Sequence, residues 1–587
     1  MVLSKNIQKY KYLPIIFIVS AISIFINGYL FGVSDQLLYI PVIHKILDPS
    51  LYQNDMLFEQ QSGYYTLFLY ITAYLTKIFG MEWTFFILYF IATFILFFSV
   101  YKISISLFKS EWTGYIAIAL CFLTRPIGGT AAGGTPFLTL RTFALPITLL
   151  AIWLFFERRY VWTAIVSAIS FLIHPLTAIA PIMAIMGYIV FNFKTIGKIS
   201  VIKSVSAFAL TMLPLLLKVL ISEQTNYNDL SLFSAAPKDW LDILKMRNTY
   251  TFPSMWKAED WKFTISYPVL FIFSFIFSGI KPRFEAVWIV GAGLLTLFIS
   301  YVFGDLYPVP LVVQLQMARG IFMITFISLI YSAYVIYRFS TGHSIISRLV
   351  IILSGIGIAS LNTNLIIVGI AALIIVVVSE RIKYLNFLGF VPFIVYLYLN
   401  LKKFRVNDLP ILYIFAFIII LEVLRGILRK VDIRAYMPIP VLVFAIIYFN
   451  LPIVNNIIKG NISDKTHLPG MVPETSWIRL QEWAVDNTDK SSLFIVPRDQ
   501  TGFRIYSMRS IAGDWKDGAP GLFSQGYARK WYGRMKSLEN YNNLSESDFL
   551  RLAKDYGATH IITQGKELSF DRIYNSEGYN VYKLPFN

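Results

Sequence analysis

Cysteine is all but missing from this 587-residue chain. The one present, Cys121, sits inside an apolar run and reads as core filler, which excludes an intrachain disulfide, CxxC redox chemistry and a thiolate metal site. Charge is scarce as well. Asp, Glu, Lys and Arg make up 14% of the residues and hydrophobic side chains 56%, where soluble domains run near about 25% and 45–50%. That balance excludes an ordinary water-soluble globule. No glycine-rich phosphate fingerprint is present, which argues against a nucleotide site. The basic N-terminus (Lys5, Lys9, Lys11) is followed by an apolar stretch without a small-residue cleavage site, so an uncleaved first helix is expected. There is no internal repeat, heptad pattern or low-complexity tract.

What the chain does contain is lipid-compatible sequence. Apolar runs of 15 to 25 residues recur from Leu13 to Phe449, the length needed to cross a bilayer as helix. The predicted fold class is an all-α polytopic membrane domain of about fifteen transmembrane helices over residues 1–458, followed by a small α/β extracytoplasmic domain over 459–587. In the latter, a helix near 475–485, an apolar run at 493–496 and the segment SESDFLRLAKDYGATHIIT alternate helix with strand; Ser545 and Asp548 have capping-box spacing, and Gly557 stands where the helix would stop. The net charge of +17 comes from short Lys and Arg clusters between the apolar runs. That is the positive-inside pattern, and no nucleic-acid partner is implied.

Topology follows from those clusters. With the N-terminus cytoplasmic, the basic connections at Lys102, Arg158, Lys194, Lys281, Arg338, Arg381 and Arg425 all fall inside; Lys402, Lys403 and Arg405 are the exception. The count closes only if the apolar segment 63–79 does not cross. Its four tyrosines suit a helix lying at the outer interface. The first outer loop (32–82), the stretch 126–139, the connection 222–262 and the C-terminal domain then share the outer face. Expected location is a multi-pass protein of a bacterial inner (plasma) membrane, with the lipid bilayer as solvent.

The first loop gathers Asp35, Asp48, Asp55 and Glu59. A carboxylate at the membrane surface can accept a proton from a hydroxyl or hold a divalent cation, although a lone loop acid is more often just solvated. On the same face, Arg125 closes the third span, Arg141 opens the fourth, and His174 precedes Pro175 at an outward turn, where a capping role competes with a binding one. Arg319, in QLQMARG, falls roughly ten residues, about 15 Å, into a span. An uncompensated charge at that depth is costly, so Arg319 with Gln314 and Gln316 must face a cavity or an interhelical network. Arg247, Tyr250 and Trp256 follow an amphipathic segment and suit either a sugar or headgroup contact or plain interfacial anchoring.

Asp35, Gln36 and Tyr39 (DQLLY), then Asp55 and the apolar stretch ending KIFGMEW, resemble the first outer loop of GT-C-type membrane glycosyltransferases such as protein mannosyltransferases and aminoarabinose transferases. Those enzymes carry an Asp-Glu-x-x-Tyr element after the first helix; this chain departs from it with Gln36. The resemblance implies a glycosyltransferase that takes a sugar from a polyprenyl-phosphate donor and passes it to a glycan or lipid acceptor. It implies Asp35 as the catalytic base with Asp55 as a second acid or metal ligand, Tyr39 beside them, and His174 where a basic residue contacts the phosphate; Arg125, Arg141, Arg247, Gln316 and Arg319 join these as expected substrate-binding residues because cations and polar groups at the membrane boundary suit a lipid phosphate. No cofactor is required by it, and a divalent cation is the one candidate. A transporter or flippase for a lipid-linked saccharide and a non-catalytic scaffold of envelope glycan assembly are the competing expectations.

Overall fold

The computed structural model describes residues 10–59, 66–123, 125–127, 130–132, 135–221, 229–281, 283–340, 345–360, 362–379, 386–400 and 466–585. The spans expected at 410–424 and 436–450, the outlying cluster Lys402, Lys403 and Arg405, and the domain boundary expected near 458 lie outside these residues.

The bundle begins with α1 (Tyr12–Asn27), and the first loop holds α2 (Gln36–Leu47) and α3 (Phe68–Phe79). Then come α4 (Met81–Phe108), α5 (Leu140–Phe156), α6 (Tyr160–Ile173) and α7 (Pro175–Phe191). Beyond them are α8 (Lys238–Arg247), α9 (Phe284–Ser300), α10 (Pro310–Leu315) and α11 (Ile321–Ser340). Among the described residues, five helices are long and apolar enough to cross a membrane, at 81–108, 198–217, 258–277, 284–306 and 310–340, and further apolar helices of 10–17 residues pack beside them. The 12-residue α3 reaches only about 18 Å, short of the roughly 30 Å hydrocarbon layer. It buries Phe68, Leu69, Thr72 and Ala73 and leaves Tyr70, Ile71, Tyr74 and Ile78 exposed. The helix is one-sided, with one face packed on the protein and the other exposed.

Polar groups collect at the two ends of the bundle. At one end, Arg283 donates to the carbonyls of Phe156 (3.2 Å) and Ser106 (3.0 Å), Arg338 donates to those of Phe277 (3.2 Å) and Ser278 (2.5 Å), and Arg158 pairs with Glu285 at 3.3 Å. These guanidiniums satisfy last-turn carbonyls that lipid could not, and they complement the negative ends of the helix dipoles. The other end carries the first loop, α8 and the C-terminal domain.

One span is broken. Between α10 and α11 the chain turns through Gln316, at φ 49°, into a 3-10 segment, Met317–Gly320. Gly320 allows the break to pack tightly, because a Cβ there would lie 2.4 Å from Thr296 Oγ1 and 3.0 Å from Ala180 Cβ. Irregular backbone at membrane depth is tolerated where it is enclosed by protein or lines a polar cavity.

The C-terminal domain holds α12 (Ser476–Asn487), α13 (Gln525–Ser537) and α14 (Glu546–Tyr556) against a mixed sheet. The hairpin in the 125–132 stretch supplies β1 (Arg125–Ile127) and β2 (Thr130–Ala132); the sheet itself is β3 (Leu493–Ile495), β4 (Ser510–Ile511), β5 (His560–Gln564), β6 (Asp571–Ser576) and β7 (Tyr579–Lys583). Its order is β4-β3-β5-β7-β6, with β3 parallel to β4 and β5 and the remaining pairs antiparallel. The capping box at Ser545 and Asp548 forms, and Gly557 closes α14 in the left-handed conformation.

This domain does not stand apart from the bundle. Trp240 and Leu244 of α8 and Met56 of the first loop share one core with Leu493, Trp531 and Phe549, and Trp240 Nε1 donates to the Gly521 carbonyl at 2.7 Å. Arg504 fills the seam. It forks onto Asp55 through Nε and Nη2, both at 2.7 Å, and onto Asp517 through Nη1 and Nη2, both at 2.8 Å. All three groups are buried. Burial raises Asp517, the shared Arg504 charge opposes that, and the carboxyl ends at about 6.

Two outcomes follow. Trp240→Ala is expected to destabilise the docked domain by about 3–5 kcal/mol, read as a lower Tm and faster proteolysis of 466–585. A carboxyl raised on folding binds its proton more tightly in the folded state, so the stability it contributes is lost as pH rises from about 4 towards 6. Asp517→Asn should flatten that part of a Tm-against-pH curve; a wild-type curve already flat there refutes the assignment.

Candidate functional site

Asp35 precedes α2 without capping it: its side chain makes no hydrogen bond to the helix's first turn. The carboxylate instead pairs with Lys516 Nζ, 2.9 Å from Oδ1, and both side chains are about one-third exposed. Gln36 does the opposite. Fully buried, its Oε1 accepts from the Gly32 amide (2.7 Å) and the Val33 amide (3.3 Å), while Nε2 donates to the Leu138 carbonyl at 3.0 Å. A carboxylate cannot donate that last bond. The departure at Gln36 is therefore explained by the fold: the amide ties the loop to the entrance of α5 and leaves Asp35 as the acid that faces outward.

Three cationic or polar groups converge on Asp35 from different helices. Arg141 is the second residue of α5, whose start is fixed by a Thr139 and Thr142 capping box. Arg319 comes from the broken turn and lies over the Tyr250 ring, 5.8 Å from its centroid. His174 caps α7: its Nδ1 accepts from the Thr177 amide at 3.1 Å. Since an amide can only donate, a neutral ring must carry its hydrogen on Nε2. Burial raises the Asp35 carboxyl, but Lys516, Arg141 and Arg319 together hold it below the usual carboxylate range. Tyr39 is buried in the same field, next to Arg319.

The site also contains unmet polar capacity. Among the described residues, the Nε groups of Arg141 and Arg319 and the Oε1 of Gln316 are buried with no hydrogen-bond partner. Orphaned buried donors cost about 1–3 kcal/mol each, more when charged. The two guanidiniums beside an ionised carboxylate are donors of the kind that a site for an anionic, hydrogen-bonding ligand requires.

Two residues expected here belong elsewhere. Asp55 is consumed by the seam: Oδ1 accepts from Arg504 and the Leu57 amide (2.9 Å), and Oδ2 from Arg504 and the Ile511 amide (2.9 Å). All four of its acceptor positions are filled, which leaves none for a metal or a substrate. Arg247 grips the C-terminal domain, donating to the carbonyls of Trp515 (3.3 Å) and Lys516 (3.0 Å) and stacking on Trp531. It acts on the site only by holding Lys516. The backbone of Arg125 lies in β1, and its side chain is outside the described residues. Around Asp35 the donor set does not fit a divalent cation: its neighbours are Lys516, Arg141 and Arg319, and among the described residues no three carboxylate, His or Cys groups gather.

Lys516, Arg504 and Asp517 were not singled out by sequence. They lie hundreds of residues from Asp35 and Asp55, and the only local signal is the polar run GDWKDG, with its Asp514 capping box. Gln36→Glu is expected to cost about 3 kcal/mol by setting a buried carboxylate against the Leu138 carbonyl; an unchanged Tm would show that the clamp is dispensable.

Residues 475–538, which include Arg504, Lys516 and Asp517, match a sequence family described as a domain of unknown function (DUF6798). No curated protein matches the chain by sequence. Among solved structures the chain is similar to ArnT from Cupriavidus metallidurans in its apo state, with 11% identity, 98% of both chains covered and a TM-score of 0.50. From its first helix through its C-terminal domain, the chain therefore has a GT-C-like fold.

Proposed function

We propose that this protein is a membrane glycosyltransferase that moves a sugar from a polyprenyl-phosphate donor to a hydroxyl of a glycan or lipid acceptor at the extracytoplasmic face of a bacterial inner membrane. The observation that carries this reading is the cluster of Arg141, Arg319 and His174 around an ionised Asp35, with buried donors left unpaired. A sugar diester of polyprenyl phosphate brings one negative charge and several acceptor oxygens to that cluster.

In the transfer, the acceptor oxygen bonds to the anomeric carbon from the face opposite the phosphate. The carbon–oxygen bond to phosphate breaks, its electron pair stays on the phosphate oxygen, and the acceptor proton goes to Asp35. The sugar is inverted once. Guanidiniums and the His174 Nε2–H stabilise the departing phosphate, so no strong general acid is needed. A carboxylate held below its usual range is a weak base at rest. It suffices because the attacking hydroxyl becomes acidic as the oxocarbenium-like transition state develops.

A transporter or flippase for a lipid-linked saccharide has one observation in its favour, the broken span that presents Arg319, since discontinuous helices build substrate sites in transporters. Release of labelled polyprenyl phosphate from a labelled sugar donor in detergent distinguishes the two. Under the transferase reading, Asp35→Asn lowers turnover by about 10²–10⁴-fold while carrier binding persists. Full activity in that variant would remove the mechanism, and binding without any bond cleavage by the wild type would favour transport.

A further inference from the structure

We infer that Lys516, delivered by the C-terminal domain, is an exchangeable cation of the transfer site: it pairs with Asp35 before transfer and moves to the departing phosphate as transfer proceeds. The inference rests on the glycosyl-transfer reading above and adds a residue and a domain to it.

The mount is rigid. The Lys516 amide donates to Asp514 Oδ1 at 2.9 Å, and its carbonyl accepts from Arg247 Nη2 at 3.0 Å. The next residue, Asp517, is locked by Arg504 and by the Asp514 amide at 2.8 Å. Gly518 makes this approach possible, since a Cβ there would lie 2.5 Å from Arg247 Nε and 2.6 Å from Trp531. The side chain is the opposite. Its ammonium is bonded to Asp35 and is partly exposed. A four-carbon stem with a compact charge can swing while its Cα stays fixed.

The charge balance of the reaction gives it a reason to swing. Before transfer, Asp35 carries one negative charge and the phosphodiester another. During transfer the carboxylate takes up the acceptor proton and becomes neutral, while the phosphate turns from a diester into a monoester and gains a second charge, with a second pKa near about 6. One negative charge thus leaves the Lys516 partner and appears on the leaving group. Arg141 and Arg319 come from the bundle itself, one from the first turn of α5 and the other from the broken turn. Among the described residues, the groups acting on Asp35 are these two, Lys516 and His174, and of these Lys516 is the one carried on a flexible stem from the C-terminal domain. The motion is therefore driven by the proton transfer itself, with no further reactant.

The alternative is a static role, in which Lys516 serves only to neutralise Asp35. The two separate in the Asp35→Asn background, which mimics the protonated carboxyl after transfer. The test is the affinity of the purified full chain for undecaprenyl phosphate, measured in detergent by tryptophan fluorescence for D35N, D35N/K516M and D35N/K516R. Exchange predicts that K516M weakens binding at least tenfold in this background and that K516R restores it to within about threefold. Equal affinity of D35N and D35N/K516M, at unchanged Tm, overturns the proposal while leaving the transferase reading in place. Should neither the wild type nor D35N bind undecaprenyl phosphate, the donor class is wrong, and the inference falls with it.

Discussion

Arg504 lies buried between Asp55 of the first loop and Asp517 of the C-terminal domain, one guanidinium serving two carboxylates in a water-poor seam. Ion groups there are tolerable only because every donor and acceptor is matched; removing one partner from such a triad typically costs about 3–5 kcal/mol. The contacts at this end of the bundle are built from this fixed point. Lys516 is the neighbour of Asp517, so the contact that fastens the domain also sets where the ammonium meets Asp35. Domain docking and site electrostatics are a single constraint.

The same separation of tasks runs along neighbouring residues elsewhere. Asp35 and Gln36 are adjacent, yet one turns its carboxylate to Lys516 while the other is consumed in holding the loop to the chain before α5. Asp55 supplies a charge to the seam and none to the site. His174 uses one ring nitrogen to cap α7 and presents the other. In each case the backbone polar groups that lipid cannot satisfy are met first, by the fewest side chains that can do it. What is left over converges at the end of the bundle that carries the first loop. At the opposite end Arg283 and Arg338 are each bonded to two helix-terminal carbonyls.

Much of this was legible from residue order because it depends on local physics. Apolar runs of membrane length gave the bundle, the short tyrosine-rich segment gave a short helix with one exposed face, and Ser545 with Asp548 gave the start of α14. The sequence also singled out Arg319 by the cost of a charge inside a span, Arg141 by its place at a helix end, and Asp35 and His174 through the resemblance of the loop and the outward turn to a known family. It failed at Asp55 and Arg247, which have the same chemistry as site residues and differ only in who their partners are. The interruption at Gln316 was hidden too, since an apolar run with one Arg reads as a continuous helix.

The sequence by itself determined the solvent of this protein and the kinds of group at the ends of its helices, because hydropathy and helix periodicity are properties of consecutive residues. Only the tertiary structure decided which charge meets which. Arg504 and Lys516 find Asp55 and Asp35 across more than four hundred residues, and pairing at that separation is set by how the C-terminal core packs on α8. No local pattern encodes it.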